Sequence, residues 1–296
     1  SFLHAEGDTK TYRNVLIFSF FLNIILNPIF IFGFLFIPPL GITGIGIATI
    51  IAQFVSLLVI LIKILNNQRI KQITLDHFKA KFFFLKNIFF QSMPITIAIL
   101  GYSIAATIVF TYVGLFGEYA VAGYGSATRI EQVVLLPILG INTAIISIIA
   151  QNIGAKYYDR VEQSYFTSIK YGLFIMLIAG VVIFISADIV PKFFSSNSEV
   201  IMHGSMYLKI SAFILPAYPI FFLSNGFFMA LKKSEKAMVN NIARNVIVPV
   251  LSFYIAKYLN ADFKTFFYIW AIFQWLISLI LLFYVKYYIK HKLANV

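Results

Sequence analysis

The chain has 296 residues, of which 60% are hydrophobic and only 11% are charged. Soluble domains carry about 25% charged residues, so this composition excludes an ordinary soluble domain. The chain contains no cysteine, which excludes disulfides and cysteine metal sites, and its net charge is +12. The basic residues lie between long apolar runs, so they indicate loops that face anionic lipid and cytosol rather than a nucleic-acid surface.

Long apolar runs predict an all-α integral membrane protein of about eight transmembrane helices. A helix that crosses the bilayer needs about 20 apolar residues. The runs are continuous rather than alternating with a period of two, which argues against strands. The predicted spans are residues 14–37, 43–63, 90–113, 120–150, 165–187, 200–224, 237–257 and 265–285.

The basic residues predict the orientation of these spans. When alternate connections are assigned to opposite sides, 17 of the 23 Lys and Arg residues fall on one side and 3 on the other. Cytoplasmic loops carry the excess of positive charge, so the rich side is cytoplasmic. We therefore expect a multi-pass protein of the cell (inner) membrane, with both ends of this chain in the cytosol.

The longest connection, residues 66–88, is the predicted boundary between two lobes. Its basic and aromatic residues are typical of an amphipathic helix on the inner leaflet, where it either anchors the protein or senses lipid. The predicted domains are therefore residues 1–65, this cytoplasmic linker, and residues 89–296. A short apolar match between residues 2–5 and 227–230, each followed by two spans, agrees with that division.

Several short motifs follow one another along the chain in a specific order. They are residues 5–10 (AEGDTK), 22–30 (LNIILNPIF), 41–49 (GITGIGIAT), 122–131 (AGYGSATRIE), 136–140 (LPILG) and 151–155 (QNIGA). This succession resembles the multidrug and toxic compound extrusion (MATE) family, closest to its archaeal and DNA-damage-inducible branch. The resemblance covers essentially the whole chain.

The resemblance implies a twelve-helix transporter fold, in which two six-helix lobes form an inverted V around a central cavity. This chain then supplies the last two helices of the N-terminal lobe and the six-helix C-terminal lobe. It begins with Ser in mid-pattern, so we expect helices one to four to be missing. On that interpretation this chain does not transport alone. Its partners are its own missing helices, membrane lipid and small organic cations or drugs, and the protein is a monomer.

Ionisable groups within a span cost about 2.5–3.5 kcal/mol each on insertion scales, which makes them functional candidates. Arg129 and Glu131 lie near the start of the fourth span, two residues apart, so they point to different helix faces. Either Glu131 exchanges protons or cations while Arg129 tunes it, or the two form a structural cluster near the outer mouth. Arg244 is either a structural cation or the partner of an acid elsewhere, and Lys209 is expected to snorkel to an interface.

Asn23 and Asn27 are four residues apart and therefore share one helix face. In many members of the family that the chain resembles, the second position is an aspartate that takes part in cation coupling. Asn27 cannot bind or release a proton. The two amides are expected either to contact cation or drug, or to cross-link helices at about 0.6–2 kcal/mol.

The C-terminal lobe has polar residues where another branch of the family carries acids. That branch has a glutamate in the seventh helix, about eight residues past a proline, and an aspartate in the tenth. Here the count from Pro94 reaches Tyr102, and residues 210–231 contain no acid. The candidates to line a cavity, with packing or interfacial roles as the alternative, are Tyr102, Tyr218, Ser224 and Asn225.

Three prolines predict helix bends. Pro28 removes a backbone hydrogen bond within the first span, and Pro216 and Pro219 do so within the sixth. Irregular backbone at membrane depth is buried in protein or lines water. The bend of the sixth span is therefore either a cavity wall or a packing kink.

The resemblance implies secondary active multidrug efflux, in which amphipathic organic cations leave in exchange for H⁺ or Na⁺ by alternating access. We expect no cofactor besides the coupling ion, no enzyme and no metal site, because the four histidines are scattered and no Walker motif occurs. One alternative is a lipid-linked saccharide flippase of the same superfamily. The basic residues Arg129 and Arg244 are compatible with that alternative. The others are a membrane-embedded enzyme, for which convergent catalytic groups are missing, and a non-transporting scaffold or fragment.

Overall fold

The computed structural model describes residues 9–34, 38–66 and 82–292. The chain divides into two compact units, Ser1–Lys81 and Phe82–Val296. Residues 67–81 of the predicted linker lie outside the described residues, as does most of the first motif. The assignment of the two units to the lobes of a transporter stays a prediction.

The described part of the first unit consists of two long apolar helices, α1 (Thr9–Phe32) and α2 (Ile42–Leu65). Helix α1 runs through Pro28 without interruption. A side chain on Gly44 would strike the backbone carbonyl of Phe30, so the two helices approach closely there. Small buried residues continue this face of α2 at a spacing of four, which keeps them on one side of the helix, namely Gly44, Ala48, Ala52 and Ser56.

The second unit contains the remaining helices. They are α3 (Phe82–Gly114), α4 (Glu118–Gly154), α5 (Tyr158–Ser186), α6 (Ser198–Ile214), α7 (Ala217–Ala230), α8 (Ser234–Ile242), α9 (Val248–Tyr258) and α10 (Phe263–Lys292). A 3₁₀ turn, Val190–Phe193, precedes α6. A π-helical turn, Ala243–Ile247 and hereafter the π segment, joins α8 and α9 into one span.

Helices α6 and α7 together are long and apolar enough for one span, hereafter the broken span. Their axes differ by 54° across a break at Leu215 and Pro216. Pro216 has no N–H and cannot continue the helical hydrogen-bond pattern. Pro219 lies in the first turn of α7, where a missing N–H is tolerated. The break therefore falls among the prolines from which the sequence predicts a bend.

The described helices confirm the expected fold class, an all-α membrane protein. Seven helices are long and apolar enough to span a bilayer, and the bent pair α6–α7 brings the number to eight. Some helices extend past the apolar runs: α3 begins at Phe82, inside the predicted linker, and α10 continues to Lys292. Backbone hydrogen bonding does not stop where the hydrocarbon core ends, so helix ends and span ends differ.

Aromatic side chains fill the interior of the second unit. Tyr124 of α4, Tyr207 of α6 and Phe267 of α10 meet with ring centroids 4.8–5.4 Å apart. Large apolar residues also cover the outside, where Phe174 of α5 is 62% exposed and Phe283 of α10 is 66% exposed. Lipid tails are as apolar as these side chains, so such a surface suits a bilayer.

Candidate functional site

A buried carboxylate, that of Glu131, lies against the broken span. Glu131 belongs to α4 and is only 6% exposed. The hydroxyl of Tyr207 on α6 donates a hydrogen bond to its Oε2, and the hydroxyl of Tyr218 on α7 donates one to its Oε1. Hydrogen bonds to an ionised acceptor are about twice as strong as neutral ones. The carboxylate thus joins the two halves of the broken helix.

Arg244 on the π segment is a buried cation and the second charged group of this site. Its guanidinium is 4.4 Å from the ring centroid of Tyr218 and 4.2 Å from that of Phe221. Its Nε donates a 2.5 Å hydrogen bond to Oε1 of Gln274 on α10, and it interacts electrostatically with Glu131. Opposite charges that are buried together offset part of their desolvation cost.

The local sequence explains why Arg244 lies on a π turn. Pro249 follows the π segment in the first turn of α9. In a regular helix its ring would clash with the carbonyl four residues earlier, which belongs to Asn245. A wider turn avoids that clash, and single π turns within helices often occur at functional sites. We call Glu131, Tyr207, Tyr218, Arg244 and Gln274 the Glu131 cluster.

Two of the predicted cavity residues are buried and bonded to neighbouring helices. The hydroxyls of Ser224 and Tyr165 are 2.6 Å apart, which links α7 to α5. Asn240 Nδ2 donates to Asn225 Oδ1 at 3.2 Å, which links α8 to α7. These contacts cross-link helices, and a role in binding stays a prediction.

The amides predicted in the first unit do meet. Asn27 Nδ2 donates to Asn23 Oδ1 at 2.9 Å, and Asn23 Nδ2 donates to Thr49 Oγ1 of α2 at 3.3 Å. Among the described residues, the buried Oδ1 of Asn27 has no hydrogen-bond partner. The group contains oxygen acceptors, and a role for the two amides in binding stays a prediction.

The structure does not bring all predicted residues into the cluster. Arg129 is exposed, and within the described part of the chain no ion pair joins it to Glu131. Tyr102 on α3 is 57% exposed. Sequence reasoning missed Tyr207 and Gln274 as partners. For Gln274 a signal was available, because an amide within an otherwise apolar span needs a partner.

Lys209 of α6 forms an ion pair with Asp188, which lies just after the end of α5. Its Nζ donates to both carboxylate oxygens of Asp188 at 2.8 Å. The Ser205 hydroxyl also donates to this carboxylate. The hydrogen bonds from Lys209 and Ser205 stabilise the charged form and lower the pKa of Asp188.

Across residues 9–34, 38–66 and 82–292, no group of three or more His, Cys, Asp or Glu side chains is placed to hold a metal ion. A helical bundle with a carboxylate and an arginine buried in its spans, and with part-buried paired amides, is typical of a membrane transporter. The chain belongs to the MatE family, whose model matches residues 94–254. This confirms the family expected from the motifs, while its branch stays a prediction.

Named relatives agree with this class. The chain is 24% identical over 249 residues to an FAD transporter of Shewanella oneidensis. The alignment covers 83% of this chain and 54% of the relative. It is 25% identical over 258 residues to the probable multidrug resistance protein YpnP of Bacillus subtilis, with coverages of 86% and 54%. These relatives are named as transporters or resistance proteins rather than enzymes. The chain spans about half the length of each.

A solved structure shares the fold. A MOP superfamily transporter from Pyrococcus furiosus superimposes with a TM-score of 0.87 at 24% identity. The match covers 97% of this chain and 64% of that protein. The similarity establishes the helical architecture of a multi-pass membrane protein.

Proposed function

We propose that this chain is part of a secondary active exporter that moves amphipathic organic cations outward in exchange for H⁺ or Na⁺. Membership of the MatE family and the multidrug resistance name of one relative support the substrate class. The observation that carries the proposal is Glu131, a carboxylate buried within a span. A charge at that depth is costly to keep unless it is paired or used.

Glu131 is the proposed exchange site because it combines burial with a change of charge. A carboxylate can be neutralised by a proton or by a bound Na⁺, and either event changes the charge balance with Arg244. Tyr218 lies between the two, bonded to Glu131 and stacked on Arg244. A ligand drives alternating access only when it favours one of the two conformations. Neutralisation at Glu131 provides that difference.

Asn23 and Asn27 are the proposed polar contacts of the first unit. They cannot titrate. Among the described residues no donor bonds to the Oδ1 of Asn27, so this oxygen can accept a hydrogen bond or bind a cation. We therefore assign charge exchange to the second unit and amide contacts to the first. We further propose that the two units belong to the N-terminal and C-terminal lobes of a monomeric, twelve-helix exporter.

A second candidate function is export of an anionic nucleotide. One relative is named an FAD transporter, and this chain buries Arg244 in a span. A buried arginine suits phosphate recognition, because its planar donors bind phosphate oxygens in pairs. In this structure, however, Arg244 faces aromatic rings and Gln274. That arrangement favours a structural cation over an anion site.

The test uses the full-length gene, because the chain covers only part of its relatives. A pump-deficient strain expressing it should show ethidium efflux that stops with a protonophore or without sodium. Glu131→Gln should abolish coupled efflux, whereas Glu118→Gln, at an exposed acid on the same helix, should not. Efflux that survives Glu131→Gln would remove Glu131 from the mechanism.

The same strain separates the alternatives. Secretion of flavin nucleotide without ethidium efflux would favour the anion exporter. Absence of both, with a defect in cell-envelope glycan on deletion, would favour the flippase.

The topology is a proposal of its own. We propose that the protein lies in the inner membrane and that both ends of this chain are cytoplasmic. A cysteine at Lys192 or Lys257 should react with an impermeant reagent added to intact cells, and one at Lys233 should not. Equal labelling of all three would contradict the orientation.

A further inference from the structure

Few backbone hydrogen bonds support the break between α6 and α7. Leu215 N–H donates to the Ser211 carbonyl at 2.9 Å and Tyr218 N–H donates to the Leu215 carbonyl at 3.2 Å, but Pro216 has no N–H to donate. Side chains that join the two halves therefore add to what holds the 54° bend. The Glu131 carboxylate is placed to do so, because its oxygens bind Tyr207 before the break and Tyr218 after it.

How strongly Glu131 holds the bend depends on the charge of its carboxylate. An ionised carboxylate accepts hydrogen bonds at both oxygens, whereas a protonated one carries an O–H donor and accepts less well. One of the two tyrosines then loses a charge-assisted bond. A bound cation that occupies a carboxylate oxygen has the same effect.

Neutralisation also acts through Arg244. Within the described part of the chain, Glu131 is the acid that interacts with the guanidinium, which stacks on Tyr218. Removing the charge of Glu131 leaves it as an uncompensated buried cation, which is strongly unfavourable. Both consequences meet at Tyr218, on the α7 side of the break.

The groups that interact electrostatically with Glu131 are Tyr124 on its own helix, Tyr207, Tyr218 and Arg244. Tyrosine and arginine ordinarily change charge only near or above pH 10. Glu131 is the carboxylic acid among them. A pH-dependent change in bend that is lost in Glu131→Gln would therefore be attributed to Glu131.

We propose that Glu131 is a clasp for the broken span: ionised, it holds α6 and α7 at their bend, and neutralised, it releases Tyr218 and the α7 half. This inference rests on the proposed exchange at Glu131 and adds the element that the exchange moves. Helix α7 has 14 residues and is thus about 21 Å long. Each 10° change in bend moves its far end by about 4 Å.

The bend can be measured by electron–electron spin distances in the full-length protein in lipid nanodiscs. This chain contains no cysteine, so labels are introduced at Met202→Cys on α6 and Glu235→Cys in the first turn of α8. Both positions are exposed. Any cysteine elsewhere in the full-length protein is first replaced.

The distance distribution should shift by several ångströms between alkaline and acidic pH. Glu131→Gln should give the acid-like distribution at both pH values, and Glu118→Gln should retain the shift. Tyr218→Phe, which keeps the ring under Arg244 and removes only the hydroxyl, should also give the acid-like distribution. If Glu131→Gln does not fold, the distance distribution of Tyr218→Phe tests the proposal instead.

A distribution that does not change with pH, or a shift that persists in Glu131→Gln, would overturn the clasp. The outcome is independent of export. A pH-dependent bend in a protein that exports nothing would refute the proposed function and leave the clasp intact. Coupled efflux with a distance that does not change with pH would support the proposed function and refute the clasp.

Discussion

The closest approach of α4 and α6 yields a prediction whose size follows from the structure. A Cβ on Gly123 of α4 would lie 2.6 Å from the Val200 carbonyl oxygen, 2.9 Å from the Gly204 nitrogen and 2.9 Å from His203 Cβ. Ordinary contacts begin at 3.4 Å. Two of these three neighbours are backbone atoms and cannot rotate away. Gly123→Ala must therefore push the helices about 0.8 Å apart, which forfeits a quarter to a half of the dispersion energy across the gap.

The expected cost is about 1–3 kcal/mol, the usual range for overpacking. Alanine also favours the helix by about 1 kcal/mol over glycine, which would mask part of the loss. Gly125→Ala is the matched control, because its Cβ would meet only the Phe110 ring, at 3.9 Å. The propensity gain is the same in both variants and cancels in the difference.

The assay is thermal unfolding of the two variants in detergent, followed by size-exclusion chromatography. At about 2–4 °C per kcal/mol, Gly123→Ala should melt several degrees below Gly125→Ala. Loss of packing at this interface should also lengthen the hydrogen bond between Glu131 and Tyr207, which joins the same two helices. Equal melting temperatures would show that α4 and α6 do not pack through Gly123.

Two further predictions concern stability. Tyr165→Phe or Ser224→Ala alone leaves a buried hydroxyl unpaired and should cost about 1–3 kcal/mol. The double variant should cost less than the sum in thermal unfolding, and additive losses would contradict the pair. The lowered pKa of Asp188 contributes stability that is present above about pH 4 and is lost as pH falls through the lowered pKa. Since Asp188 is 65% exposed, this contribution stays below about 1 kcal/mol. Lys209→Met should flatten the dependence of Tm on pH in the acid range. Lys257→Met is the control and should leave that dependence unchanged.

The spans could be predicted because each is a local property of the chain. Uncharged runs of hydrocarbon length have one stable solution in a bilayer, a helix that satisfies its own backbone hydrogen bonds. Proline marked the break near Pro216 for the same reason, since the missing N–H is a property of one residue. The family could likewise be inferred, because its motifs occur in order along the chain.

The partners of Glu131 could not be predicted in this way. Tyr207 and Tyr218 lie 76 and 87 residues further along, and nothing local links those positions. Arg129 and Glu131 were both candidates in the sequence, yet of the two only Glu131 is buried. A partial signal exists, because Glu131 continues the helix face of Gly123 and Ala127 at a spacing of four.

The sequence alone therefore determined the membrane class, the approximate number of spans and the family, because hydrophobicity and backbone geometry act over one helix at a time. Tertiary packing decided which ionisable groups are buried and what they bond to. It placed Arg244 against the tyrosine that binds Glu131 and left Arg129 outside. The reason is physical: which helix faces meet depends on contacts between segments far apart in the chain, where side-chain shape rather than hydropathy determines the fit.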